Sequence, residues 1–540
     1  MSHHPAVACV AAVLMGVTVG PCGSQTARGP ADAPVHLQCR ETSLGRVPPG
    51  FQPDSLVTST DGSHFAYVLC TADATAMVLD GVTGKSYEWA GLPIFSSDSR
   101  RFAYLAKRDG KTLVVVDGVE GPPCDEVKDF EFAAQGHQLA YVARHGDAWR
   151  VVVDEVEGLA CDGVKDFGFA AQGQRLAYLA RHGDAWRVVV DGSGTGLGDA
   201  RPTWLILSPN GSRWACYADL PDGPKILVTD AGRWPSGDHV EEVRFSPDSW
   251  HLACVVERGG KQSMVLDGKA GAPYDYVSPA VFSPDSKCLA YWVRRGEDCY
   301  YLILDGKQAG PYWGMSGIWF SPDSSRVAYT AWRGGKEEAL VIDGIEGPAS
   351  EGVVGLTYSP DSRHVAHVAE QGARKRVVLD GRAERLYDDV LAVCSMDGNR
   401  PLPHLVFSPD AEHLAYPARQ GDRWVVVRDG AASRAYDQAV AFRQAWDERY
   451  LDRGIGVDPE RGPPAWGVWL GLAFSPDSRH LAYVAMRAGK VVVVVDGQET
   501  REYDAYLGPE CLAFDSAGSL RFLAMRDGEF LCVEVLTAGP

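Results

Sequence analysis

Residues 127–154 read VKDFEFAAQGHQLAYVARHGDAWRVVVD, and residues 164–191 read VKDFGFAAQGQRLAYLARHGDAWRVVVD. The segments agree at nearly every place and start 37 residues apart. Self-similarity at a period of this size marks a repeat architecture. The unit carries an anchor, a small residue before an aromatic one, as in Leu-Ala-Tyr. Looser copies place that anchor at Ala66, Ala103, Ala140, Ala177, Ala215, Ala253, Ala290, Ala328, Ala366, Ala415 and Ala482, with a degenerate twelfth at Ala524. Most intervals are 37 or 38 residues. The two long ones, Ala366 to Ala415 and Ala415 to Ala482, contain insertions at 391–403 and 441–470.

Turn chemistry subdivides the unit into four strands. In the copy from Gly471 to Tyr506, Leu472-Ala473-Phe474 is a short apolar strand. Ser475-Pro476-Asp477-Ser478 is a turn, because Pro presets φ and Asp bonds nearby backbone N–H groups. Leu481 to Met486 is a second strand and Val491 to Val495, β-branched throughout, a third. Between the last two, Ala488-Gly489 turns the chain. Asp496-Gly497 is a hairpin turn of the kind that needs positive φ at both central positions. A fourth, more polar strand is expected near Glu502 to Ala505.

A stack of such sheets exposes apolar faces at its ends unless it closes into a ring. The expected fold is therefore all-β, with tandem four-stranded blades forming β-propellers. Rings of about 4–8 blades are the usual range, so two rings of six are expected, with seven plus five as the alternative. A break near residue 275 divides the copies evenly, giving a first propeller over 51–275 and a second over 276–540. The last copy lacks a fourth strand, and the segment from Val35 to Glu41, in the linker 25–50, is placed to supply one.

Phe-Ser-Pro-Asp-Ser followed by Leu-Ala-Tyr and a Val-rich Asp-Gly strand resembles the WD40-like β-propeller repeat of the TolB type. It stands at Phe245–Ser249, Phe282–Ser286, Phe320–Ser324 and Phe474–Ser478, with Tyr358–Ser362 and Phe407–Asp410 as near variants. The third and fourth copies depart from it, carrying Ala133-Ala134-Gln135-Gly136 and Ala170-Ala171-Gln172-Gly173. The resemblance spans about 51–536 and implies the propeller fold. It implies no single task, since relatives include periplasmic scaffolds that bind proteins and propellers fused to serine peptidases.

Hydrophobic residues make up 45% and charged residues 23%, a globular balance. The net charge of −19 argues against nucleic acid as a partner. Thirteen cysteines are scattered singly, without a CxxC pair, which leaves zinc-ribbon and thioredoxin readings unsupported. Cys124 and Cys161 are equivalent, as are Cys216 and Cys254, and they read as small apolar fillers. Residues 1–24 read as an export signal: Ala6 to Gly20 is apolar, of signal-peptide length and short for a membrane span. Lipid attachment at Cys22 is the lesser branch, because Pro21 departs from a lipoprotein cleavage site. No other stretch is apolar enough to span a bilayer. The expected location is the periplasm or outside the cell.

The repeated carboxylates Asp248, Asp285, Asp323, Asp361, Asp410 and Asp477 sit in Ser-Pro-Asp turns and read as structural. No G-x-S-x-G elbow occurs. The stretch Asp191 to Asp199 fails as a calcium loop, because Pro202 stands where Glu is needed, and it reads as an inter-blade loop. His364 and His367 fall on opposite faces of a strand, and His145 and His182 in turns, so neither pair suggests a metal site. The insertion 441–470 gathers Trp446, Arg449, Tyr450, Arg453, Trp466 and Trp469, residue types enriched at interfaces, on a loop of a rigid scaffold. A loop that buries its own tryptophans and caps one end of the ring is the plainer alternative. The leading reading is an exported, non-catalytic propeller that binds a protein or peptide, with no catalytic residue, cofactor or metal expected. Its rivals are a propeller enzyme of glycosidase or lyase type with a site in the central channel, and a regulatory partner of a separately encoded enzyme.

Overall fold

The computed structural model describes residues 37–537, apart from 222, 224, 235–236, 333, 335–336, 391, 395–400, 440–470, 508–511, 513 and 516–517. Twelve antiparallel sheets follow one another along the chain. We number them as blades 1 to 12, with first strands beginning at Val57, Trp89, Glu126, Gly163, Arg201, His239, Tyr276, Gly314, Gly352, Asp389, Gln438 and Ala505. Strands one to three of each blade are consecutive in sequence and adjacent in the sheet. In blade 12 the fourth place is taken by Leu37–Arg46, which pairs with Glu529–Thr537 from the opposite end of the chain.

The turns explain why the copies fold alike. At the third hairpin, Asp496 and Gly497 have φ of 49° and 79°, the geometry of a type I′ turn, and Asp-Gly pairs in eight other blades match them. The carboxylate also accepts the N–H that opens the second strand, as from Leu481 to Asp496 at 2.9 Å. Its other oxygen takes the preceding basic side chain, His480 at 2.6 Å here and Arg326 to Asp343 at 2.9 Å in blade 8. Blade 3 departs: Glu155 replaces the glycine and still holds φ of 68°.

The Ser-Pro-Asp-Ser turn joins neighbouring blades. Ser246 Oγ donates to Asp248 and accepts the His251 N–H at 2.9 Å. The last serine of the turn takes positive φ, and its hydroxyl accepts the N–H of the aspartate one blade back. Asp248 N–H to Ser286 and Asp323 N–H to Ser362 lie at 2.9 and 3.0 Å. Asp410 N–H reaches Ser478 at 2.9 Å, which makes blades 10 and 11 neighbours despite the intervening insertion. A third set of carboxylates caps the opposite end of the blades. The residue before the first strand, such as Asp125, Asp275 or Asp437, accepts an N–H from the turn between strands two and three, at 2.7, 2.7 and 2.6 Å.

Twelve buried apolar clusters lie one to each seam between blades. Each fully buried Val, Leu, Ile, Phe or Met side chain in them contributes about 1.5–3 kcal/mol. Two rings of six would need packing between blades 1 and 6 and between blades 7 and 12. The clusters instead join blade 6 to blade 7 through Ala253, Met264, Val277 and Ile303, and blade 12 to blade 1 through Leu523, Phe530, Phe65 and Val78. Among the described residues the packing is one circuit of twelve, and it runs straight across the division expected at 275/276. Each seam is built alike, so blade 6 finds its complement in the next blade of the chain without turning back.

Two smaller expectations also shift. The fourth strand of blade 11 is Gln498–Glu499, directly after the Asp-Gly turn, while Ala505–Tyr506 begins blade 12. The anchor place of blade 12 belongs to Arg521, whose partner Glu534 matches Val495 opposite Ala482; Ala524 is the counterpart of Ala485.

Candidate functional site

The first strands line the inside of the ring. Those of neighbouring blades come within 8 Å at their Cα atoms, as between blades 1 and 2, 2 and 3, and 7 and 8. Twelve such steps enclose an opening on the order of 15 Å in radius before side chains, since sheets pack about 10 Å apart and closer at a convergent edge.

Most of these inner strands bulge at the same point. In blade 3 the register shifts between Lys128 and Phe130, and in blade 4 between Lys165 and Gly168. Counting from the pairings, one seat of the bulge is held by Leu92, Asp129, Asp166, Trp204, Glu242, Pro279, Gly317, Gly355 and His404 in blades 2 to 10. The flanking pattern repeats, whereas this seat changes in nearly every blade. Leu92, Asp129, Asp166 and Glu242 occupy it with φ of 48–54°, a region L-residues enter at some cost. Bulges re-aim side chains and mark sites of function.

Both insertions leave the chain at this seat. In blade 11, Ala439 pairs with Ala485 and Leu472 with Tyr483, and the Gly471 carbonyl accepts the Val484 N–H at 2.8 Å. In blade 10, Val390 pairs with Ala418 and Val406 with Ala415. Within that insertion Ala392–Cys394 and Pro401–Pro403 form a hairpin, and its second strand lies beside Gly352–Tyr358, the inner strand of blade 9. Trp446, Arg449, Tyr450, Arg453, Trp466 and Trp469 lie outside the described residues, as does Cys22; the ends of their segment place its root on the channel wall.

Part of the channel chemistry is absorbed by the fold. Asp166 accepts the Leu205 N–H of the next blade at 2.8 Å, and Glu131 the Phe169 N–H at 3.1 Å. These carboxylates cover inner-edge donors that would otherwise invite strand pairing. Glu338, 2% exposed, accepts from the Ser316 hydroxyl and the Val353 N–H, both at 2.9 Å, and so ties blade 8 to blade 9. Gln262 does the same for Val277. The turn aspartates Asp248, Asp285, Asp323, Asp361, Asp410 and Asp477 each accept from the first serine of their turn. Those hydrogen bonds hold Asp285 and Asp323 at about 2.

His364 pairs with Asp380 at 2.7 Å. His367 instead fills the seat that eight blades give to tyrosine, and burial lowers it to about 4. His404 is also lowered to about 4 by burial, and its Nε2 has no hydrogen-bond partner among the described residues. Residues 191–199 cross between blades 4 and 5, with Ser193–Gly196 as a fourth strand. Among the described residues nine cysteines are free thiols; Cys124 and Cys161 fill the junction place that Tyr274 and Tyr387 hold elsewhere. Among the described residues no cluster of three His, Cys, Asp or Glu side chains has metal-binding geometry, and no helix is long and apolar enough to cross a membrane.

Sequence reading missed the bulge seat, because its signal is an absence of repetition at one aligned position. It also missed the place before each first strand, where Trp313 replaces the turn-capping carboxylate.

No protein-family model matches the chain. No curated protein matches it either. Solved structures that it resembles include a crystal structure of the eukaryotic initiation factor, 13% identical, covering 55% of this chain and 86% of that one with a TM-score of 0.31. The Dos1 propeller is 12% identical over 62% of this chain and 95% of that one, with a TM-score of 0.28. TolB from Acinetobacter baumannii is 15% identical over 46% and 62%, with a TM-score of 0.20. At such identities the likeness concerns fold alone. The chain is an all-β propeller of twelve blades, with its variable chemistry on the inner strands.

Proposed function

We propose that this protein is an exported, non-catalytic propeller that binds a protein or peptide at the channel sector of blades 10 and 11. The carrying observation is that both insertions root at the bulge of channel-lining strands on adjacent blades. A rigid ring that carries its longest insertions on one inner sector offers loops held by a scaffold, where binding residues are disproportionately found. The aromatic and Arg content of 441–470 suits a protein interface. The non-catalytic part of the reading rests on the repeated carboxylates and their His and Arg neighbours being engaged with turns and with one another. Export rests on the apolar segment Ala6 to Gly20.

The test is capture of partners from the native envelope by the mature protein and by a variant lacking 441–470. That deletion joins Val440 to Gly471 and restores the bulge length of blade 4, with a glycine in the place of Asp166. The variant should therefore keep its fold. Loss of a partner supports the reading, and retention of every partner refutes it.

A further inference from the structure

At the channel end opposite the Ser-Pro-Asp turns, the residue before the first strand is a carboxylate in nine blades. Each of these (Glu88, Asp125, Asp162, Asp238, Asp275, Glu351, Asp388, Asp437 and Asp504) accepts a turn N–H. Blade 8 gives up that cap. Its residue is Trp313, 59% exposed. A large apolar side chain left mostly exposed at a seat built for a carboxylate breaks the repeat, and such breaks are where function is sought.

The same corner holds a second exposed ring. Tyr276, the first residue of the blade 7 inner strand, is 36% exposed and stacks on Trp292 with centroids 4.9 Å apart and planes at 28°. Trp292 packs in turn on Tyr300 at 5.6 Å. Tyr300 pairs with Tyr312, the residue before Trp313. Tyr276 and Trp313 stand at the same end of adjacent inner strands, and both are at least partly exposed.

The polar groups beside it are mixed in sign. Arg294, opposite Tyr276 in the sheet, buries an Nε with no hydrogen-bond partner among the described residues. Arg295 lies over the Tyr274 ring at 4.8 Å, and Glu297 and Asp298 stand exposed in the adjoining turn. A cationic or anionic ligand would be met by charges of its own sign. A neutral ligand with flat apolar faces and a hydroxylated edge meets rings for its faces and both donors and acceptors for its edge.

We propose that the seam between blades 7 and 8 is a saccharide-binding site, with Tyr276 and Trp313 as stacking platforms for a neutral oligosaccharide. The inner strands of blades 7 and 8 come within 8 Å at their Cα atoms, so one extended oligosaccharide would reach both platforms. The site goes beyond the partner binding proposed for blades 10 and 11, and it should survive deletion of 441–470.

The test titrates the mature protein with hexasaccharides of β-1,4-glucose, α-1,4-glucose and β-1,4-N-acetylglucosamine, followed by tryptophan fluorescence and calorimetry. Saturable binding of at least one is expected. Tyr276→Ala should weaken it at least tenfold, and Tyr276→Phe, which keeps the ring, should not. Trp313→Asp restores the capping carboxylate, so it should raise the melting temperature while abolishing binding, which separates recognition from folding. Binding of none of the three overturns the proposal, as does binding that persists undiminished in Trp313→Asp. A proline-rich peptide that binds here in place of any sugar overturns it too.

Discussion

Removing the Glu41 carboxylate asks how firmly Leu37–Arg46, the strand that joins the start of the chain to blade 12, is held there. Glu41 stands on Leu37–Arg46, with its side chain 13% exposed. It accepts from Arg526 at 2.7 and 2.9 Å, from Arg501 at 3.1 Å and from the Tyr503 hydroxyl at 2.9 Å. Arg501 is largely exposed, so its share is at most about 1 kcal/mol. Glu41→Ala mainly strands Tyr503, which is fully buried, and the inward face of Arg526. An orphaned buried hydroxyl costs about 1–3 kcal/mol and a lost charge-assisted bond about 1.5–3, so we expect a loss of about 3 kcal/mol.

The loss should be local. Amide exchange should accelerate in Leu37–Arg46, Glu529–Thr537 and the blade 1 strand Phe65–Cys70, and stay unchanged in blades 5 to 8. The effect also has a pH signature. The Arg526 hydrogen bonds hold the Glu41 carboxyl below its ordinary value of 4.5. Its contribution is therefore complete above about 4.5 and lost as pH falls through the lower folded value. A destabilisation below about 0.5 kcal/mol, or exchange that rises equally in all blades, would show that Glu41 does not hold this strand on blade 12.

Three further outcomes are expected. Glu155→Gly should stabilise the protein by about 1 kcal/mol in denaturant titration, because it relieves a left-handed residue at a place where other blades use glycine; Gly192→Glu should do the reverse. Ala411 holds the inter-blade serine seat without a hydroxyl, at φ of 67°. Ala411→Ser should therefore add about 0.5–1 kcal/mol, while Ser478→Ala, which removes the acceptor of the Asp410 N–H, should cost about 1–2 kcal/mol in the same assay. His367 is lowered to about 4 by burial, so the unfolded chain takes up its proton first as pH falls. Its stability contribution is present above about 6.5 and declines between about 6.5 and 4. His367→Tyr, the residue of eight other blades, should flatten that limb of the pH–stability curve, and an unchanged limb would refute the assignment.

Local chemistry made the blade legible from sequence. Asp-Gly positions that need positive φ, the Pro in each Ser-Pro-Asp turn and the β-branched third strands act over a few residues, so they can be read without knowing the neighbours. The turn aspartates were legible for the same reason. Only the tertiary structure decided how many blades share one circuit, because near-identical seams let blade 6 pack equally well on whichever blade comes next. It likewise decided that the insertions root on the inner wall and that Trp313 and Tyr276 stand at the same end of adjacent inner strands. Those residues lie on different strands of neighbouring blades, and what brings them together is the curvature of the ring, which no single repeat encodes.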